Sequence, residues 1–147
     1  MSSSDRERQA SLIVGSELRE LSRVSAWVRD WAQRQSLPTR VAQHLDLCST
    51  EAVTNIMTHG SGDAATHGSI FLRLGWQGED VALEVEDEGC PFDPLQTPGP
   101  VPAGSLQEAH VGGWGIPIVR RFSDGMQYRR EDGRNCLTLL FRPTVPP

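Results

Sequence analysis

Val81-Ala82-Leu83-Glu84-Val85-Glu86-Asp87-Glu88-Gly89-Cys90-Pro91-Phe92-Asp93-Pro94 changes character partway along. Val81, Leu83 and Val85 alternate with small or acidic residues, the period of a half-buried strand. The alternation stops at Asp87, and Gly89, Pro91 and Pro94 make the rest a turn-rich segment. Immediately upstream, Ile70, Leu72, Leu74 and Trp76 alternate in the same way. Gln77-Gly78-Glu79-Asp80 lies between the two runs, so the unit reads as a β-hairpin ending in an acidic turn.

Further upstream the period lengthens. Leu18, Leu21, Val24, Val28 and Trp31 recur every three or four residues, which predicts an amphipathic helix over 16–35. Ser36-Leu37-Pro38 breaks it, with Pro38 suited to the first turn of a new helix. Val41, Leu45, Cys48, Ala52 and Ile56 carry that second helix to His59, and Gly60-Ser61-Gly62-Asp63 ends it. Ser11-Leu12-Ile13-Val14 reads as a short edge strand.

Downstream, residues 95–111 hold three prolines and two glycines with little apolar periodicity. A connection that long in a small domain is commonly a lid or binding loop. Gly112-Gly113-Trp114-Gly115 then opens a short helix marked by Ile116, Val119 and Phe122, with Pro117 in its first turn. Met126 and Tyr128 begin a strand, Glu131-Asp132-Gly133-Arg134 turns it, and Leu137, Leu139 and Phe141 line the last one. The order (β)ααββ–lid–αββ predicts an α+β fold, a two-layer sandwich of helices over a mixed, mostly antiparallel sheet. The expected division is a flexible tail at 1–10, then one domain over 11–147 with a lid at about 95–111.

Composition narrows the function. The chain has 147 residues, enough for one domain, and 37% hydrophobic against 22% charged residues marks a globular protein. A net charge of −5 argues against a general nucleic-acid binder. No run approaches the ~20 apolar residues of a membrane helix. The polar start, Met1-Ser2-Ser3-Ser4-Asp5-Arg6-Glu7-Arg8, lacks a signal-peptide stretch. The default expectation is cytoplasmic. All 14 basic residues are arginine. Without lysine there is no P-loop, no ordinary protein-kinase lysine and no Schiff-base chemistry. Cys48, Cys90 and Cys136 form no Cys-x-x-Cys pair and read as reduced thiols, mostly buried. His44, His59, His67 and His110 lack metal-site spacing, so no transition metal is expected.

Three constellations sit at element junctions. Glu51 and Asn55 are four apart in the second helix and share a face. A carboxylate beside an amide oxygen can position a nucleophile and ligate Mg²⁺, an oxygen-seeking cation; it is also a common solvated pair. Asp87 at a strand end can accept the exocyclic amine of adenine, and Gly89 lets a flat ring approach the backbone; an acidic turn closed by proline explains the same residues. Gly112-Gly113-Trp114-Gly115-Ile116 can bind phosphate on backbone amides at a helix start, or serve only as a hinge.

Together and in this order, the three resemble the N, G1 and G2 boxes of the ATPase superfamily shared by gyrase, histidine kinases and mismatch-repair ATPases. The resemblance covers roughly residues 15–142. Glu51-x-x-x-Asn55, Asp87-x-Gly89-x-x-Phe92-Asp93-Pro94 and Gly112-Gly113-x-Gly115-Ile116 look most like the anti-sigma-factor serine-protein kinases of the RsbW and SpoIIAB type. Asp124 and the closing strand around Thr138 also fit. The resemblance implies ATP bound between helices and sheet under the lid. It makes Asp87 the adenine-recognition residue, Asn55 the Mg²⁺ ligand and Glu51 the general base on a partner serine. Gly89, Phe92, Gly112, Gly113, Trp114, Gly115 and Thr138 would complete the ATP contacts. It further implies a homodimer that sequesters a sigma factor or phosphorylates an anti-anti-sigma protein.

Trp114 stands where the family often has a smaller or basic residue, and Pro117 where many relatives have an aliphatic or aromatic one. The Gly-Thr common before the last strand is Arg134-Asn135 here. Two other functions compete. An ATP-loaded binding module would not need the Glu51 carboxylate. A histidine-kinase catalytic domain would need a phosphoacceptor histidine on an upstream helical hairpin, which is not expected here.

Overall fold

A computed structural model describes residues 8–59, 68–89, 91, 93 and 115–144. The chain runs β1 (Ala10–Val14), a 3₁₀ turn (Leu18–Glu20), α1 (Leu21–Arg34), α2 (Thr39–His59), β2 (Ile70–Gln77) and β3 (Asp80–Asp87). It continues with α3 (Gly115–Phe122), β4 (Gly125–Glu131) and β5 (Arg134–Phe141). The strands form one sheet in the order β1-β2-β3-β5-β4, with β1 and β4 at its edges.

All four strand pairings are antiparallel, so the sheet is not mixed among the described residues. The reason is topological. From β3 the chain passes to the far edge, where β4 runs in the direction of β3. The β4–β5 hairpin then folds back and inserts β5 between them. The two strands that could have paired in parallel are thus separated by β5.

The hairpins turn as their residues dictate. Gly78 has φ +64° at the first central position of the β2–β3 turn, the backbone a type II′ turn requires. In the β4–β5 turn both Asp132 (φ 52°) and Gly133 (φ 76°) are left-handed, the I′ pattern that matches strand twist.

Register sorts the side chains. Val81, Leu83, Val85 and Asp87 stand opposite Phe141, Leu139, Leu137 and Asn135 on the face that the helices cover. Ile70, Leu72 and Leu74 extend that face through β2, and Val14 through β1. Val24, Val28 and Trp31 of α1 join Val41, Leu45, Cys48, Ala52 and Val53 of α2 and Val119 of α3 against it in one core. Trp31 is fully buried and its ring lies 6.3 Å from that of Trp76 on β2.

Two boundaries differ from the sequence reading. The first helix begins at Leu21, because residues 18–20 form a tighter 3₁₀ turn that rotates Leu18 off the apolar stripe. Leu18 is accordingly 64% exposed. At the other end, Arg8 and Ala10 fall within the expected tail yet are placed: the Arg8 guanidinium sits 5.1 Å from the Trp76 ring centre, and Ala10 pairs with Leu74. The expected lid at 95–111 and the glycine-rich turn after His59 lie outside the described residues.

Helix α1 stops in a Schellman motif. Ser36 takes φ 56°, its N–H reaches Gln33 O at 3.0 Å, and Leu37 N–H reaches Ala32 O at 3.0 Å. This reversal lays α2 beside α1. Asp46 of α2 then ties the helices together, accepting from Ser25 Oγ at 2.7 Å and from Arg29 Nε at 2.9 Å.

Candidate nucleotide and phosphoryl-transfer site

The site residues of α2 come from its C-terminal half. Hydroxyls at Ser49, Thr50 and Thr54 bond back to carbonyls one turn earlier, at 2.6, 3.1 and 2.7 Å. Helix-disfavouring side chains are thereby absorbed without leaving unsatisfied groups. Ala52 and Val53 are buried in the core and fix the rotation of the helix. That rotation places Glu51 half-buried and Asn55 only 5% exposed on the neighbouring face.

Asn55 Oδ1 is buried without a hydrogen-bond partner, a condition shared among the described residues only with Trp31 Nε1. A buried amide oxygen left unpaired costs roughly 1–3 kcal/mol. The Trp31 N–H can only donate, whereas the Asn55 oxygen is a neutral donor of the kind Mg²⁺ accepts. Asn55 therefore fits a magnesium ligand.

Burial pushes the Glu51 carboxyl above its ordinary value, because losing water disfavours the charged form. One turn before it, the Cys48 thiol is pushed up to about 12, first by burial and then by the Glu51 charge. Cys48 is thus a neutral, fully buried thiol, and Glu51 carries the titratable chemistry of this face.

Asp87 ends β3 with 5% exposure. Its Oδ1 accepts from Gly89 N–H at 2.8 Å, closing the turn, and from Asn135 Nδ2 at 3.1 Å. Tyr128 OH donates to Asn135 Oδ1 at 2.5 Å. Arg130 donates to Gly89 O at 2.7 Å. Asn135, Tyr128 and Arg130, all from the β4–β5 hairpin, are site neighbours to which the sequence reading gave no site role. Their signal was present in the Asp132-Gly133 turn, which counts Asn135 back opposite Arg130. What was missing was the sheet order that sets Asn135 beside Asp87.

The proposed contacts do not all converge. Thr138 pairs with Glu84 and Gln127 on the sheet face opposite Asp87. Alternation along β5 gives the Asp87 side to Asn135 and Leu137, so Thr138 faces away from the helices. Gly115 opens α3, whose Ile116 and Val119 are buried, and Phe122 at its end packs at a tilt against His44 of α2 with ring centres 5.0 Å apart. Phe92, Gly112, Gly113 and Trp114 lie outside the described residues.

Residues 14–141 match the family model of the histidine kinase-like ATPase domain. The serine/threonine-protein kinase BtrW of Bordetella bronchiseptica is 37% identical over 116 residues, covering 77% of this chain and 79% of that protein. The chain belongs to the histidine kinase-like ATPase family, on its RsbW-type serine/threonine-kinase branch.

Two solved structures share the fold. The RsbU and RsbW domains of Rv1364c from Mycobacterium tuberculosis align with TM-score 0.63 at 17% identity, covering 93% of this chain and 33% of that one. The histidine kinase domain of the blue-light activated kinase EL346 from Erythrobacter litoralis aligns with TM-score 0.51 at 18% identity, covering 88% and 62%. The chain thus spans a third of the first solved chain and less than two thirds of the second. Among the described residues, no helix is long and apolar enough to cross a membrane.

Proposed function

We propose that the protein is an ATP-dependent serine kinase that phosphorylates an anti-anti-sigma protein and sequesters a sigma factor, acting as a cytoplasmic homodimer. The observation that carries this reading is the pairing, on one face of α2, of half-buried Glu51 with buried Asn55, whose oxygen lacks a partner. The family and the kinase relative support the same chemistry.

In this reading ATP lies between the helices and the sheet. Asp87 accepts the exocyclic amine of adenine, and Gly89 allows the ring close to the backbone. Gly112, Gly113, Trp114 and Gly115 offer backbone amides to phosphate, and Phe92 and Gly89 complete the ATP contacts. Asn55 would hold Mg²⁺, which would supply charge neutralisation at the phosphates. Glu51 takes the proton from the partner's serine hydroxyl as that oxygen attacks the γ-phosphorus. The bond to the β,γ-bridging oxygen breaks and ADP leaves. The raised carboxyl of Glu51 suits a base, since proton affinity is what the step requires.

The test is a pull-down from the native organism with and without ATP, followed by mapping of phosphorylated serines. The expected result is one partner released or exchanged on ATP addition and carrying a new phosphoserine. Partners that bind but never gain phosphate would instead indicate an ATP-loaded binding module.

A further inference from the structure

We propose that Asn135, held by Tyr128, is the positioning residue that sets the adenine selectivity of Asp87. The inference rests on the reading of Asp87 as the base-recognition residue. A carboxylate at a strand end has two oxygens and a free torsion, and only a fixed carboxylate discriminates between ligand donors and acceptors. Both hydrogen bonds that Asp87 receives fall on Oδ1, from Gly89 N–H at 2.8 Å and Asn135 Nδ2 at 3.1 Å. Among the described residues Oδ2 receives none. One oxygen anchors the group and the other is presented.

The amide itself must be oriented, because Asn135 can offer Asp87 either its NH₂ or its oxygen. An ionised carboxylate only accepts, so the NH₂ must face Asp87 and the amide oxygen must face away. Tyr128 fixes that choice. Its hydroxyl donates to Asn135 Oδ1 at 2.5 Å from the neighbouring strand. Asn135 is 6% exposed, so water does little to compete for either end of the amide. The hairpin also anchors the turn backbone, through Arg130 on Gly89 O at 2.7 Å. The chain Tyr128–Asn135–Asp87 therefore runs from an edge strand to the carboxylate.

The experiment measures calorimetric affinities for Mg·ATP and for purine riboside triphosphate, which lacks only the six-amino group. Wild type, Tyr128→Phe and Asn135→Leu are compared, with circular dichroism to show that each variant is folded. Wild type is expected to prefer ATP by roughly tenfold or more, the value of a hydrogen bond to a charged group. Asn135→Leu should remove most of that preference and Tyr128→Phe part of it. Both should bind the analogue within about twofold of wild type, since a charged group's hydrogen bond accounts for the lost tenfold. A merely structural role would weaken both nucleotides alike and leave the ratio unchanged, and that result overturns the inference. Should Asn135→Leu fail to fold, Tyr128→Phe with an unchanged ratio is sufficient to overturn it. A wild type that binds the two nucleotides equally removes the amine contact at Asp87 itself, and the inference falls with that reading.

Discussion

At the residue scale the site depends on what burial does to three polar side chains. Asp87 accepts two hydrogen bonds, Asn55 keeps an oxygen unpaired among the described residues, and Glu51 loses water to burial. Asp87→Asn preserves the shape but replaces an acceptor with an amide. ATP affinity should fall by roughly tenfold or more, and selectivity over GTP should shrink, both read by calorimetry. Glu51→Gln should leave nucleotide affinity near wild type. The raised carboxyl of Glu51 also predicts a pH dependence of transfer. Its folded value lies above its unfolded one, so the active, ionised form is lost as pH falls through the higher, folded value. Single-turnover rates should therefore begin to drop at a higher pH than for an ordinary glutamate, and the drop should vanish in Glu51→Gln. The same shift means that Glu51 favours the folded state when protonated. That contribution is present below the unfolded value and lost as pH rises through the folded one. Thermal unfolding of Glu51→Gln at neutral pH should accordingly occur at or above the wild-type temperature.

Elements rather than residues decide where these groups meet. Leu83 lies at the centre of β3 with no exposure, opposite Leu139. Leu83→Ala should cost about 2–5 kcal/mol by urea unfolding. Each of these elements was legible from period alone. Alternation in 70–76 and 81–85 and the three-to-four spacing in 41–56 mark strands and helix, and the structure agrees. Leu18 was misread because a 3₁₀ turn and the first turn of an α-helix have nearly the same spacing. The pairing of β5 with β3 was not legible, since it depends on where the chain goes after β3 and no local pattern records that. For this reason Thr138, selected by resemblance, lies on the wrong face to join Asp87, while Asn135 stands beside it.

The whole molecule is a helical layer on one face of a five-stranded antiparallel sheet, with Glu51 and Asn55 in the helical layer and Asp87 at a strand end. A ligand held between layers stabilises both. Mg·ATP at one hundred times its dissociation constant should add about 2.7 kcal/mol to unfolding stability. Asn55→Ala should abolish the Mg²⁺-dependent part of that gain while leaving the unliganded fold intact, as thermal unfolding with and without the metal will show. The central claim is that this fold transfers phosphate to a partner serine with Glu51 as base, and single-turnover transfer from saturating labelled ATP to the captured anti-anti-sigma partner tests it most directly. Wild type is predicted to phosphorylate one serine, and Glu51→Gln to bind ATP and partner yet transfer ~10²–10⁴-fold more slowly. Transfer by Glu51→Gln at the wild-type rate, or none by wild type to any bound partner, would contradict it.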